Sequence, residues 1–103
     1  MLQGTLDLLI LKVLERNSLH GYGIMQHLQE VTGGVFQVTP GSLFPGLQRM
    51  EQSGWVKGTW DASENNRRAK YYSITAAGRK QLELEQQDWK AITLAIGRVL
   101  QNG

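Results

Sequence analysis

The chain has 103 residues, 41% hydrophobic and 19% charged, which suits one modest core and leaves little room for a second domain. It contains no cysteine, so disulfides, thiolate metal centres and a cysteine nucleophile are excluded. The formal net charge is only +2, and most of the excess sits in residues 57–74, where Lys57, Arg67, Arg68 and Lys70 stand against Asp61 and Glu64.

In chain order, Thr5 is expected to cap a first helix, with Asp7 in the first turn where the helix dipole favours a negative charge. Leu6, Leu9, Ile10, Val13 and Leu14 follow at helical spacing. Leu8 and Leu11 fall off that stripe, so the helix is apolar almost all round and needs cover on more than one side. The longest apolar run, Leu8 to Leu11, is far too short to span a bilayer. With no secretory pattern at the N-terminus, the expectation is a soluble cytoplasmic protein without membrane contact.

His20-Gly21-Tyr22-Gly23 leads into Ile24, Met25, Leu28 and Val31, a second amphipathic helix, and Gly33-Gly34 stops it. Val35 to Val38 is brief and compatible with extended chain. A third helix has two competing starts. Thr39 as cap places Pro40 at the first helical position but leaves Pro45 to interrupt the second turn; Ser42 as cap places Pro45 where no backbone donor is needed. The start near Pro40 is adopted, with a local distortion at Pro45. Leu43, Leu47 and Met50 form its inner face, and Gly54 ends it.

Residues 55–60 read as a strand, Asp61 to Asn66 as a polar turn, and Arg67 to Ile74 as the returning strand of a hairpin with a longer loop. Thr75 caps a last helix of about 25 residues. Within it Leu82, Trp89 and Ile96 recur every seven residues, with Ile92 and Val99 between them and Glu85 at the remaining inner position. That spacing argues for packing against a partner helix.

Three short helices, a basic hairpin and a long helix outline a winged helix-turn-helix, mainly α with a small β-hairpin. The expected division is a DNA-binding unit over residues 1–75 and a dimerisation helix over 76–103, joined in one compact body. In such folds the second helix of the pair reads base edges in the major groove. Thr39, Gly41, Ser42, Phe44, Gln48, Arg49 and Gln52 are the candidates on or beside its outer side. Ser and Gln can bond bases or phosphates, and Arg can take phosphate or guanine acceptors. Asn66, Arg67, Arg68 and Lys70 would track the backbone from the hairpin.

Residue by residue, the chain resembles the PadR family of bacterial transcriptional regulators, in particular short members with a single C-terminal helix. The stretches that carry the resemblance are Gly4 to Leu11, His20 to Ile24, Pro40 to Leu47, Met50 to Val56, Arg68 to Thr75 and Ala77-Gly78. The resemblance implies a homodimer built from the first and last helices, here Leu2, Leu6, Leu9, Leu82, Trp89, Ile92, Ile96 and Val99. It also implies a third helix that reads double-stranded DNA and a wing that contacts phosphates. In some short members a tryptophan at the place of Trp89 lines a pore where flat aromatic ligands stack. A planar aromatic or phenolic effector held by Trp89, Leu8 and Ile92 therefore stands beside the plainer reading of Trp89 as an interface anchor. Phe44 departs from the tyrosine usual in the family, and the wing tip Glu64-Asn65-Asn66 is less basic and glycine-rich than in many members.

His20 and His27 make a poor metal pair, and no metal or other cofactor is expected. His20 is expected to cap or turn, His27 to lie exposed, Tyr22 to pack between helices, and Trp55 and Trp60 to pack in the wing. No nucleophile–base arrangement or carboxylate pair in a cleft suggests an enzyme. The competing reading is a winged helix used only as a protein–protein adaptor.

Overall fold

The computed structural model describes residues 3–63 and 65–102. Its elements are α1 (Gln3–Val13), β1 (Leu19–His20), α2 (Gly21–Val31), α3 (Pro40–Gln52), β2 (Val56–Ala62), β3 (Arg68–Ile74) and α4 (Ala76–Asn102). The strands form one antiparallel sheet in the order β1-β3-β2. In its register Val56 faces Ile74 and Ala62 faces Arg68, while Leu19 and His20 pair with Tyr72 and Tyr71. The two-residue strand β1 has no counterpart in the sequence reading. It ties the start of α2 to the base of the wing.

The core is built where α1, α2 and α3 meet. Ile10, Leu11, Ile24, Leu43, Leu47 and Met50 are completely buried, and Leu6, Leu14, Leu28, Val56, Tyr72 and Leu82 close around them. Thr5 lies inside α1 instead of capping it, and Asp7 is past the first turn, a buried residue with a partner of its own. His20 does cap α2: its Nδ1 accepts the Gly23 N–H at 3.0 Å. Gly33 and Gly34 take φ of 61° and 84°, the left-handed backbone that stops the helix. Residues 35–38 form no helix or strand.

The third helix starts at Pro40, with Thr39 in the cap position and Pro45 inside the helix. Thr39 gives no side-chain bond to a backbone donor, but its carbonyl accepts the N–H groups of Ser42 and Leu43. The strand β2 runs two residues further than expected, because Asp61 and Ala62 pair with Ala69 and Arg68.

Thr75 joins the wing to the last helix. Its hydroxyl donates to the Gly54 carbonyl at 2.6 Å, with the Trp55 carbonyl at 3.0 Å, and accepts the Gly78 N–H at 3.0 Å. Helix α4, whose buried residues are Gly78 and Leu82, starts against Trp55 and Ile74 at the end of the wing and then passes over α1. Beyond Glu85 every described residue is exposed, and the projecting helix gives the molecule as a whole extents of 55 × 29 × 22 Å. The radius of gyration of 15.0 Å exceeds the roughly 13 Å of a compact chain this long, and the projecting helix accounts for the difference.

Candidate nucleic-acid interface

The face that α3 turns away from the core carries Thr39, Gly41, Ser42, Gln48 and Gln52, all exposed. Phe44 stands at its edge, 37% exposed. Its ring lies over Gly21, where a Cβ would come within 2.5 Å of Phe44 Cζ, so α2 and α3 meet closely because that residue is glycine. Tyr22, expected between helices, is instead 68% exposed and meets Phe44 edge to face, with centroids 6.2 Å apart. The helix start turns its side chain outward, which adds a phenol to the outer face.

Arg49 requires a correction. It was expected to contact DNA, yet its Nη1 and Nη2 donate to Oδ2 and Oδ1 of Asp7, both at 2.9 Å. Asp7 is nearly inaccessible, and a buried carboxylate needs such a partner. The hydrogen bond to Asp7 raises the Arg49 pKa, against the opposing effect of burial. Lys70 is also drawn inward: its Nζ donates to Glu51 Oε1 at 2.8 Å, binding the wing to α3, and lies 5.6 Å from the Tyr72 ring. The hydrogen bond to Glu51 raises the Lys70 pKa. Arg49 and Glu51 are the only charged residues of α3, so both of its charges face protein groups and its outer face is neutral.

Cations return at the wing. Arg67 and Arg68 are exposed, and the Arg68 guanidinium lies over the Trp60 ring at 5.6 Å. Trp60 itself is 57% exposed. The tip is shaped by Asn66, whose φ of 59° is left-handed, and by the Ser63–Arg67 and Asn66–Ser63 backbone bonds. Tyr22, Phe44, Trp60, Arg67 and Arg68 share one open cleft between helix and wing. A neutral hydrogen-bonding helix beside an arginine-tipped hairpin can read base edges with one element and hold phosphates with the other.

A separate groove opens between α1 and α4. Leu8, Glu85, Trp89, Ile92 and Ile96 line it, and it encloses about 660 Å³. Trp89, Ile92, Ile96 and Val99 are all about half exposed or more. Three residues expected at the dimer seam lie elsewhere. Leu6 and Leu82 are buried in the protomer's own core, and Leu9 faces the opposite side of α1, towards Val31 of α2. Leu2 falls outside the described residues. Sequence spacing marks an apolar stripe but cannot say whether the same chain or a second one covers it.

Glu85 Oε2 is buried with no hydrogen-bond partner, the one such side-chain atom among the described residues. Burial raises its pKa, with the charges of Asp7 and Asp88 acting the same way and the Gln81 amide and Arg49 opposing. A carboxyl whose folded pKa is raised binds more protons in the native state than unfolded, so stability falls as pH climbs above the ordinary value of 4.5. Glu85→Gln is therefore expected to melt above the parent at pH 7, the difference closing as pH falls towards 4.5. A pH-independent difference in a melting series would contradict this account.

The fold and this cleft define a winged helix-turn-helix regulator of transcription that binds DNA. The model of the Transcriptional regulator PadR-like family matches residues 10–84, and the chain belongs to that family. Solved relatives agree. A PadR-like transcriptional regulator from Bacillus cereus is 33% identical, with a TM-score of 0.82 over 98% of this chain and 96% of that one. A PadR family transcription regulator from Clostridium difficile is 30% identical, with a TM-score of 0.77 over 92% and 97%. An uncharacterised protein of Lysinibacillus sphaericus is 29% identical over 89% of this chain and 84% of its own length. In an uncharacterised 37.1 kDa protein in a transposon of Streptomyces fradiae, 32% identical, the match covers 93% of this chain but a quarter of that protein. The family is one of regulators, not enzymes, and its members bind DNA and generally act as dimers. No helix among the described residues is long and apolar enough to cross a membrane.

Proposed function

We propose that the chain is a cytoplasmic homodimeric repressor that binds a near-palindromic operator, each α3 reading one half-site about one helical turn from the other. The observation that carries this is the unpaired apolar face of α4: Trp89, Ile92, Ile96 and Val99 repeat at three- and four-residue spacing on the stretch of the helix beyond Glu85, which stays exposed in the protomer. A second copy supplies the matching stripe, with Leu8 of α1 at the seam. Two copies also explain how so mild a net charge serves a DNA binder, since two modest half-sites add through the dimer. The groove's volume lies in the range of small-molecule sites. A planar aromatic effector stacked on Trp89 between Leu8 and Ile92 would release the operator by favouring a different spacing of the two α3 helices.

Recovery of sheared genomic DNA on the purified protein, sequenced at two salt concentrations, tests the reading. Enrichment of a palindromic site is expected. Uniform, salt-sensitive recovery would leave a non-specific binder, and no recovery by a folded dimer would favour the adaptor. Tryptophan quenching by planar aromatic compounds, lost in Trp89→Phe, is expected for the effector site; equal quenching in that variant would remove it.

A further inference from the structure

Helix α1 carries one acidic residue, Asp7, and the fold buries it. Its bridge to Arg49 spans 42 residues of chain and joins α1 to the DNA-reading helix α3. A bidentate guanidinium–carboxylate pair is planar and tolerates little rotation, unlike a single ammonium contact. The two helices are close here: a Cβ on Gly46 of α3 would lie 3.7 Å from Arg49 Nη2 and 3.9 Å from Ile10. The bridge thus acts on the side of α3 that turns with Gly46, and any slip of the fork rotates the opposite, DNA-facing side.

A third element, α4, packs against α1 and carries a buried carboxyl within electrostatic reach of the bridge. Glu85 of α4 feels the charges of Asp7 and Arg49 and lines the groove of Leu8, Trp89, Ile92 and Ile96. The charged and titratable groups around it are Asp7 from α1, Arg49 from α3 and Asp88 from α4. Gln81 holds Oε1 at 3.1 Å, and Oε2 is left without a partner. A ligand or partner in the groove would change the surroundings of Glu85, which lines it, and so the field on the bridge.

We propose that Asp7 and Arg49 are positioning residues for DNA reading, setting the rotation of α3 against α1, and that Glu85 couples this setting to what occupies the α1–α4 groove. The bridge needs only the DNA-reading role of α3; the coupling rests on the reading of the groove as the dimer and effector seam.

The test compares Arg49→Lys, Asp7→Asn and the double variant Asp7→Asn/Arg49→Gln, each with and without Glu85→Gln. The probes are the operator recovered from genomic DNA and a random duplex of equal length, with melting followed in parallel. Arg49→Lys keeps the charge and should fold. It is expected to lose about tenfold or more for the operator while affinity for random duplex and the salt slope stay unchanged. Glu85→Gln is expected to alter operator affinity in the parent but not in the double variant. Equal losses on operator and random duplex, with a shallower salt slope, would make Arg49 a direct phosphate contact and overturn the proposal. Lower melting temperatures with parent-like operator affinity would reduce the bridge to a structural one and also overturn it. An effect of Glu85→Gln that is the same in both backgrounds would break the coupling. Failure of the parent to select any operator is a different result, and would count against the function proposed above.

Discussion

Gly78→Ala is expected to destabilise the fold by roughly 3 kcal/mol, equivalent to a fall in melting temperature of more than about 10 °C for a domain of this size. In a solvated helix the same exchange would stabilise by about 1 kcal/mol, because alanine is the better helix former. Here the added Cβ would lie 2.1 Å from the Trp55 carbonyl oxygen and 2.8 Å from Ile74 Cγ1. The obstructing oxygen is backbone, already accepting the Thr75 N–H at 3.0 Å, so it cannot swing aside as a side chain can. Relief requires α4 to lift from the end of the wing, which also strains the Thr75 cap and the seating of Leu82. A calorimetric or circular-dichroism melt decides it. A variant melting at or above the parent would show that α4 does not cross Trp55 so closely.

The double variant Arg67→Ala/Arg68→Ala is expected to weaken DNA binding on the order of 100-fold at about 0.1 M salt, nearly equally for all sequences. The reasoning is electrostatic. The charges of α3 are engaged by Asp7 and Lys70, so its outer face brings hydrogen bonds but no cation, and the wing must supply the attraction to phosphate. Arg68 lies over the Trp60 ring, 5.6 Å from its centroid, and this cation–π contact limits the freedom it loses on binding. Each arginine that meets a phosphate contributes about 0.9 to the slope of log affinity against log salt, so the slope should flatten by up to about 2 per protomer. Fluorescence anisotropy across a salt series measures both quantities. An unchanged slope would remove the wing from the interface.

Much of this arrangement is legible in the sequence, and the exceptions have physical causes. Leu43, Leu47 and Met50 mark the inner face of α3 by spacing alone, and Thr39-Pro40 marks its start. The strand β1 is not legible, because two residues carry no periodicity and pair only once β3 is present. Leu6 and Leu82 read the same whether the cover is their own chain or a partner. Arg49 follows Gln48 next to a position counted as outward, and the fork to Asp7 reaches round the helix edge to a group 42 residues away. A signal for that pair did exist: a lone acid in a helix apolar all round must find a cation when it is buried. Glu85 was visible as the polar break in an otherwise apolar repeat. Only the packing of α1 against α4 brings that break within the electrostatic reach of Asp7 and Arg49.

In the proposed dimer, the free length of α4 would tie the integrity of this protein to its abundance. Residues 86–102 are exposed in the protomer, and so lack the tertiary packing from which most helical stability comes. Its order in a lone chain is then a local equilibrium that frays easily, whereas a partner helix would lock it by mass action. At low copy number the same segment would then become the natural point of proteolytic entry. In the proposed dimer, scarcity would shorten the chain's lifetime as well as empty its operator, so the switch between bound and free DNA would be sharper than simple dilution gives.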